Sequence, residues 1–254
     1  MIPLDDRGLL LGDGLFETML ALDGAIPMVE AHLDRLAAGC TALGLPDLDR
    51  EAARALCLAA PPPVGRAAVR LTVTAGSGGR GLDRPARIAP RLRATAALSA
   101  PIETPATLII ARTRRNEGSL ASRLKTLAYL DNVLARSEAR AAGADEAVML
   151  NNAGRVACAA AANLFWIEGD RLLTPSLDCG VLAGITRARV LAAARSWEIE
   201  TLEIAADSAR LAGADGLFLS NSLIGVRPVS RLDERLFAPH PLTERLKAVF
   251  SSPA

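Results

Sequence analysis

One lysine in this chain lies where covalent chemistry with a carbonyl group would be possible. Of 29 basic residues, only Lys125 and Lys247 are lysines, and the others are arginines. A lysine amine that loses its proton can attack a carbonyl carbon to form a Schiff base, whereas a guanidinium stays protonated. Lys247, in LTERLKAVF, fits a solvated charge near a helix end, and Lys125 could be one too. The surrounding motifs therefore decide between a nucleophile and a surface charge.

Two other segments could bind an anion. In LAGITRARVL, Gly184 precedes a helix with apolar periodicity, and Thr186 adds a hydroxyl close to its start. The first N–H groups of a helix lack partners within it and, together with the helix dipole, attract anions. In HLDRLAAGC, Arg35 lies on an otherwise apolar helix face and would need an anionic partner if it is buried. A surface arginine with a buried stem is the alternative.

A glycine-rich segment, GSGGRG at residues 76–81, matches the dinucleotide-binding fingerprint literally. That fingerprint must open a helix, but Pro85 and Pro90 lie where this helix would run, and proline breaks helix interiors. We therefore exclude the dinucleotide hypothesis and expect a loop that presents Arg80. Its guanidinium could hold a substrate carboxylate, and a solvated loop arginine is the alternative.

Composition indicates a soluble globular protein. Half of the residues are apolar, 22% are charged, and the net charge is +1. Aromatic residues make up 3%, which leaves little for base stacking and predicts no nucleic-acid partner. No apolar run approaches the roughly 20 residues that span a bilayer, so we expect no membrane segment.

Cysteine and histidine usage argues against metal and disulfide chemistry. The four cysteines are far apart and have no CxxC spacing: Cys40, Cys57, Cys158 and Cys179. We expect reduced thiols and, because the opening residues lack a secretory pattern, a cytoplasmic protein. Two histidines, His32 and His240, are too few for a His-rich metal site, and neither suggests a Ser-His-Asp triad.

The pattern of helices and strands predicts an α+β chain in two domains. Helical periodicity covers 29–44, 49–60, roughly 125–142, GITRARVLAAARSW and LTERLKAVF. Strand patterns cover AAVRLTVTAG, ATLIIAR, DEAVML, a hairpin of NLFWI and RLLT, IETLEIA, GLFLS and VRPVS. We place an N-terminal α/β domain at 1–112, a polar linker at 113–119, and a C-terminal domain at 120–254 that includes Lys125 and the turn before residue 185.

Five segments resemble, in order, those of the fold-type IV pyridoxal-phosphate enzymes. These are GLLLGDGLFET, HLDRL, LKTLAYLDNVLAR, AANLFW and GITR. The family includes branched-chain aminotransferases, D-amino-acid aminotransferases and aminodeoxychorismate lyases. The resemblance implies a two-domain α+β fold with pyridoxal 5′-phosphate between the domains, a homodimer, and a small-molecule amino substrate.

The resemblance also implies residue roles. Lys125 would form the Schiff base with the cofactor and later move the proton on the substrate. The cofactor phosphate would be held by Arg35, the backbone N–H of Ile185, Thr186 and Ser222. Tyr129 would lie near the phenolic oxygen of the cofactor, with ordinary helix packing as the alternative.

One position departs from the family pattern. Most members have a glutamate that keeps the pyridine nitrogen protonated, and GRVACAAAANLFW has Cys158 there. A neutral thiol would not favour the protonated ring, so elimination should suffer less than transamination. Loop 76–82 also lacks the histidine, two residues after Arg80, that D-amino-acid aminotransferases use to bind carboxylate.

These features favour a 4-amino-4-deoxychorismate lyase of folate biosynthesis, which yields 4-aminobenzoate and pyruvate. The segments NLFW and LSNSLIGVRPV look more like those of the lyases than those of the branched-chain enzymes. An amino-acid aminotransferase, of D-amino-acid or branched-chain type, is the alternative. A relative that binds the cofactor without turnover is the third hypothesis, because Cys158 replaces the usual acid.

Overall fold

The computed structural model describes residues 3–251. It divides into two compact units. The first contains the described residues as far as Ala100 together with Leu124–Ala128. The second contains Pro101–Arg123 and the described residues from Tyr129 onward.

The first unit is a three-stranded antiparallel sheet with two helices packed on it. Its elements are α1 (Arg7–Leu11), β1 (Gly14–Leu22), α2 (Val29–Ala42), α3 (Arg50–Ala59), β2 (Arg66–Thr74) and β3 (Arg91–Leu98), with strand order β1-β2-β3. Strand β2 alternates as expected, with Val69, Leu71 and Val73 buried and Arg70 exposed on the other face. The apolar face of the sheet packs with Leu33 of α2.

The second unit is a nine-stranded mixed sheet. Its strands are β4 (Ala106–Ile110), β5 (Glu146–Leu150), β6 (Val156–Ala159), β7 (Asn163–Glu168), β8 (Arg171–Pro175), β9 (Thr201–Ile204), β10 (Gly216–Asn221), β11 (Gly225–Leu232) and β12 (Arg235–Leu236). Their order is β6-β5-β4-β11-β10-β7-β8-β9, with β12 paired to β11. The predicted hairpin of NLFWI and RLLT is β7–β8.

Five α-helices and a 3-10 turn accompany this sheet. They are α4 (Leu120–Arg123), α5 (Leu130–Ala141), the 3-10 turn Leu177–Cys179, α6 (Ile185–Ser196), α7 (Ser208–Ala212) and α8 (Pro241–Ser251). Phe165 of β7 and Phe218 of β10 stack at 4.8 Å between ring centroids. Both rings belong to one apolar cluster with Val190 and Leu191, which fixes α6 against β7 and β10.

The predicted helix at 125–142 is wrong at its start. Helix α5 begins at Leu130, and Lys125 lies in a turn just before Thr126, which forms an isolated antiparallel bridge with Leu15 of β1. The N–H of Phe16 donates to the carbonyl of Lys125 (2.8 Å), and the N–H of Leu127 donates to Gly14 (3.0 Å). Hydrogen bonding to a distant strand therefore overrides the helical pattern of this segment.

The boundary between the two units does not lie in the expected linker at 113–119. It lies between Ala100 and Pro101, and Leu124–Ala128 returns to the first unit. Strand β4 belongs to the second unit because it pairs with β5 and β11, and the segment with Lys125 belongs to the first because it pairs with β1. The residues expected to be a linker also include a buried side chain, Arg115.

Within the described part of the chain, no helix is both long and apolar enough to cross a membrane. The same residues contain no cluster of three or more His, Cys, Asp or Glu side chains arranged to hold a metal ion. All four cysteines are buried and unpaired. The homodimer stays a prediction.

Candidate functional site

The side chain of Lys125 is held over an aromatic ring in the first unit. Its Nζ lies 4.2 Å from the centroid of the Phe16 ring on β1. The guanidinium carbon of Arg70, on β2, lies 3.7 Å from the same centroid. Cations placed over an aromatic face are attracted by its quadrupole. The predicted nucleophile thus lies in a turn that is hydrogen-bonded to β1, and the Arg70 guanidinium contacts the same Phe16 ring.

Sequence reasoning did not identify Arg70 as a site residue. It appeared only as a polar position in the alternating strand AAVRLTVTAG. The pairing of β1 with β2 places Arg70 opposite Thr18, on the face that Phe16 shares. The missing information was the register of two strands that lie about 50 residues apart, and no local pattern provides it.

Arg35 is half-buried, and it has the anionic partner that we expected it to need if it were buried. On the core side of β1, the Glu17 carboxylate accepts bonds from Arg35 Nε (2.8 Å) and Nη2 (2.6 Å), and from His32 Nδ1 (2.7 Å). The Glu17 side chain is 1% exposed. Burial alone raises the pKa of Glu17, but the bonds from Arg35 and His32 outweigh it and the pKa lies below its ordinary value. Glu17 and Phe16 point to opposite faces of β1, so the predicted phosphate role of Arg35 stays a prediction.

We expect Arg35→Met to destabilise the fold as well as weaken cofactor binding. It would leave Glu17 with His32 as its remaining described partner, and breaking a buried pair costs about 3–5 kcal/mol. Urea unfolding of the apoprotein should show this loss, and Glu17→Gln combined with Arg35→Met should recover most of it. If Arg35 binds phosphate, cofactor affinity in the double variant stays about tenfold or more below wild type. Wild-type affinity in the double variant would limit Arg35 to its structural role.

The loop that presents Arg80 is organised by a residue from α1. Arg7 is buried, and its guanidinium donates to the carbonyls of Leu82 (2.9 Å) and Asp83 (2.9 Å) and, at 3.4 Å, to Gly78 and Gly81. Its Nε bonds Asp13 at 2.9 Å. Gly79 has a φ of 82°, and a Cβ there would lie 2.1 Å from the Asp83 oxygen. Arg80 itself is exposed at the tip, and its predicted role with a carboxylate stays a prediction.

The turn before α6 that we predict to bind an anion is present in the second unit, and its anion-binding role stays a prediction. Gly184 is the N-cap residue, Ile185 begins the helix, and no side chain of the described residues caps it. Asn163 Nδ2 donates to the carbonyl of Leu182 at 3.0 Å. A Cβ at Gly184 would lie 1.9 Å from Asn163 Oδ1, so glycine allows this close approach. Thr186 is buried beside the uncapped N–H groups of the helix.

The connection between β6 and β7 joins this turn to the other predicted ligands of the second unit. Asn163 ends the connection and binds the α6 turn, as described above. Asn221 Nδ2 donates to the carbonyl of Ala161 at 2.9 Å, and its Oδ1 accepts the N–H of Leu223 in the turn that contains Ser222. Cys158 belongs to β6, which leads into the same connection. The fold thus gathers Cys158, Ser222 and the start of α6 around one short segment.

Cys158 is buried in a small-residue environment. Its 6% exposed side chain packs with alanines, Met149 and Val181. Burial raises the pKa of the Cys158 thiol, the positive charge of Arg115 lowers it, Glu146 raises it, and the net direction is upward. The thiol is therefore neutral at physiological pH.

Tyr129 occupies the N-cap position of α5, and its side chain makes no cap hydrogen bond. It is half-buried, and its predicted place near the phenolic oxygen of the cofactor stays a prediction.

The donor groups of the second unit suit a phosphate ester. A phosphate requires several donors, and an uncapped helix N-terminus next to hydroxyl side chains provides them. On β10, Ser220 lies on the α6-facing side with Phe218, and its buried Oγ has no partner among the described residues. Buried hydroxyls without partners are uncommon outside binding sites.

Comparisons with known proteins agree with this geometry. The model of the family described as amino-transferase class IV matches residues 14–232. A provisionally named branched-chain-amino-acid aminotransferase of Methanocaldococcus jannaschii is 32% identical over 98% of this chain and 90% of its own length. An aminodeoxychorismate lyase of Vibrio harveyi is 29% identical over 90% of this chain and 86% of its own. The crystal structure of 4-amino-4-deoxychorismate lyase from Pseudomonas aeruginosa has a TM-score of 0.86 and 36% identity, over 98% of this chain and 94% of its own.

Proposed function

Because this chain belongs to the class IV aminotransferase family, we propose that it converts 4-amino-4-deoxychorismate into 4-aminobenzoate and pyruvate. The family uses pyridoxal 5′-phosphate, and the cofactor and the fold-type IV class expected from the sequence are both confirmed. Family members act as aminotransferases or as aminodeoxychorismate lyases. The chain is thus a pyridoxal-phosphate enzyme, and the lyase reaction is the specific activity that we propose.

The observation that carries the proposal is the buried neutral thiol of Cys158 at the position where the family pattern has a glutamate. When bound, pyridoxal phosphate supplies an electron sink for the substrate carbon that bears the amino group. A carboxylate at 158 would strengthen that sink by favouring a protonated ring nitrogen, whereas a neutral thiol does not. Elimination expels a leaving group and so depends less on this strengthening than transamination does.

In this proposal, Lys125 would hold the cofactor covalently until the substrate amine displaces it, and the freed lysine amine would then transfer the proton. Its amine removes the proton from the substrate carbon that bears the amino group. The enolpyruvyl group then leaves with its bonding electron pair and takes up a proton, and the products together have the composition of the substrate. The uncapped start of α6, Thr186 and Ser222 hold the cofactor phosphate.

Two arginines of the first unit, Arg70 and Arg80, are candidates to bind a substrate with two carboxylates. 4-Amino-4-deoxychorismate has one carboxylate on its ring and one on its enolpyruvyl group. Arg70 contacts the same Phe16 ring as Lys125, and its guanidinium is suited to bind one of these carboxylates through two hydrogen bonds. Arg80, exposed on the loop that Arg7 organises, is the candidate for the other. The 36% identity to the Pseudomonas lyase supports the same substrate.

An amino-acid aminotransferase is the second candidate function. The observation that favours it is the 32% identity to the Methanocaldococcus relative, whose name is that of a branched-chain enzyme. A branched-chain substrate has one carboxylate and an apolar side chain, so it would leave one of the two arginines without a substrate partner.

A substrate assay distinguishes these functions. The holoenzyme is incubated with 4-amino-4-deoxychorismate, and separately with branched-chain amino acids or D-alanine plus 2-oxoglutarate. We expect equal amounts of 4-aminobenzoate and pyruvate from the first mixture, and glutamate formation at least about a hundredfold slower in the others, a difference of about 2.7 kcal/mol in barrier height.

Each other outcome of this assay contradicts the lyase proposal. Glutamate formation without 4-aminobenzoate would identify an aminotransferase. A cofactor-loaded protein that forms neither product would be a relative that binds pyridoxal phosphate without turnover. Arg70→Met and the matched surface variant Arg112→Met, whose native side chain is 94% exposed, then test the substrate site. The first should raise the KM for 4-amino-4-deoxychorismate about tenfold or more, and the second should leave it unchanged.

A further inference from the structure

Arg115 is a buried cation, and its side-chain hydrogen bonds within the described part of the chain all go to neutral acceptors. The residue is 5% exposed. Its Nε donates to the carbonyl of Gly180 (3.0 Å), one Nη donates to Asn132 Oδ1 (3.0 Å), and the other Nη donates to the carbonyl of Ser122. Within residues 3–251, no carboxylate lies within 4.0 Å of this guanidinium, although buried charges in proteins are usually paired with opposite charges.

Each acceptor is close along the chain to a predicted cofactor ligand. Gly180 precedes the N-cap residue of α6 by four positions. Ser122 precedes Lys125 by three positions. Asn132 uses its Nδ2 to bind the carbonyl of Ala160 (2.7 Å), two residues after Cys158. One side chain therefore fixes three segments that lead to the cofactor ligands.

The acceptors lie in three directions, and this requires the geometry of arginine. Guanidinium is a rigid planar group with five N–H donors on three nitrogens, so it can bond three separate acceptors at once. Lysine has a single nitrogen on a flexible stem and would reach one or two of them. The backbone N–H of Arg115 donates to Leu150 at 2.9 Å and anchors the residue to β5.

We propose that Arg115 is a positioning residue of the cofactor site, which orders the α6 turn, the β6–β7 connection and the approach to Lys125 through these three bonds. The proposal rests on the proposed function only in taking these segments as cofactor ligands, and it is independent of whether the enzyme is a lyase or an aminotransferase. This positioning role also explains why the chain has a buried arginine that is not paired with a carboxylate, since each of the three bonds of Arg115 orders a part of the site.

The test compares Arg115→Lys and Arg115→Met with Arg112→Met. Arg112 has a side chain that is 94% exposed, so it controls for loss of an arginine three residues away. Pyridoxal phosphate is titrated into each apoprotein, and the induced circular dichroism of the bound cofactor is recorded without substrate. We expect affinity to fall about tenfold or more in Arg115→Met and less in Arg115→Lys, with weaker induced dichroism in both. The Arg112 variant should match wild type.

If Arg115→Met does not fold, Asn132→Asp tests the contacts that run from Arg115 through Asn132 to Ala160, near Cys158. Aspartate keeps an acceptor for Arg115 and gives it an anionic partner, but it loses the donor to Ala160. We expect an apoprotein at least as stable as wild type, with cofactor affinity and induced dichroism both lowered. A role confined to folding would lower apoprotein stability in the Arg115 variants and leave the dichroism of the bound cofactor unchanged.

Wild-type affinity and dichroism in Arg115→Lys and Asn132→Asp would overturn the proposal. Because no substrate is present, this result is separate from the assay of 4-aminobenzoate and pyruvate. An active lyase whose Arg115 variants bind the cofactor as the wild type does would refute only the positioning role of Arg115. A failed lyase assay with impaired cofactor binding in these variants would refute only the specific activity.

Discussion

Replacement of Lys125 by arginine is expected to abolish covalent attachment of pyridoxal phosphate and to lower turnover by a factor of about a hundred or more, because arginine can neither bond the cofactor carbonyl nor act as a proton-transfer base. The positive charge is kept. The Phe16 ring already accepts a guanidinium from Arg70, so the fold should tolerate a second one. Borohydride treatment followed by peptide mass spectrometry measures the attachment directly.

Lys247→Arg is the matched control for this substitution. It makes the same change at the other lysine of the chain, which is half-buried on α8. We expect this variant to retain borohydride-fixed cofactor on Lys125 at the wild-type level. Fixed cofactor at full stoichiometry in the Lys125→Arg protein would show that another amine forms the bond, and the catalytic assignment would be wrong.

Cys158→Glu is expected to raise half-transamination, the conversion of bound cofactor to its amine form by an amino-acid donor, by about tenfold or more. A carboxylate within a few ångströms of a basic nitrogen raises its pKa by about one to three units, and each unit changes the ratio of protonated to neutral ring tenfold. Lyase turnover should change less. The amine form of the cofactor has its own absorbance band, and the growth of this band with time measures the rate of half-transamination.

Cys158→Gln is the control, because it adds nearly the same volume without the charge. The site around Cys158 is lined by alanines and Met149, so either substitution is expected to cost about 1–3 kcal/mol in overpacking. The positive charge of Arg115 favours an anion at this position, whereas the charge of Glu146 disfavours it. We therefore expect the Glu variant to be more stable than the Gln variant. Equal half-transamination rates in the two, at equal cofactor occupancy, would remove the electronic argument for the lyase.

Local patterns in the sequence predicted the features that depend on neighbouring residues. Helix α2 follows from apolar residues at helical spacing, and the α6 turn follows from a glycine immediately before such a pattern. The hairpin β7–β8 follows from two apolar runs on either side of EGD. In each case the determinants lie within about a dozen residues, so the prediction needed no tertiary information.

The errors and omissions involve contacts between distant segments. The segment with Lys125 has helical periodicity, but it pairs with β1, more than 100 residues earlier. Arg35 could be recognised as requiring an anion, yet its partner Glu17 is set by the packing of α2 on β1. Arg115 lies in a polar segment that resembles a linker. Its role could not be predicted from the sequence, because its acceptors are mainly backbone carbonyls, which any residue type has.

The bonds between Arg7 and the loop at 76–83, which we propose binds substrate, make the order of this loop depend on the docking of α1. Four carbonyls of the loop share one guanidinium that comes from 71 to 76 residues earlier in the chain. The loop amides and those of α1 should therefore become exposed to hydrogen exchange in a single opening event. We therefore expect a substitution that destabilises α1 to alter substrate selectivity through Arg80, even when no residue of the loop is changed.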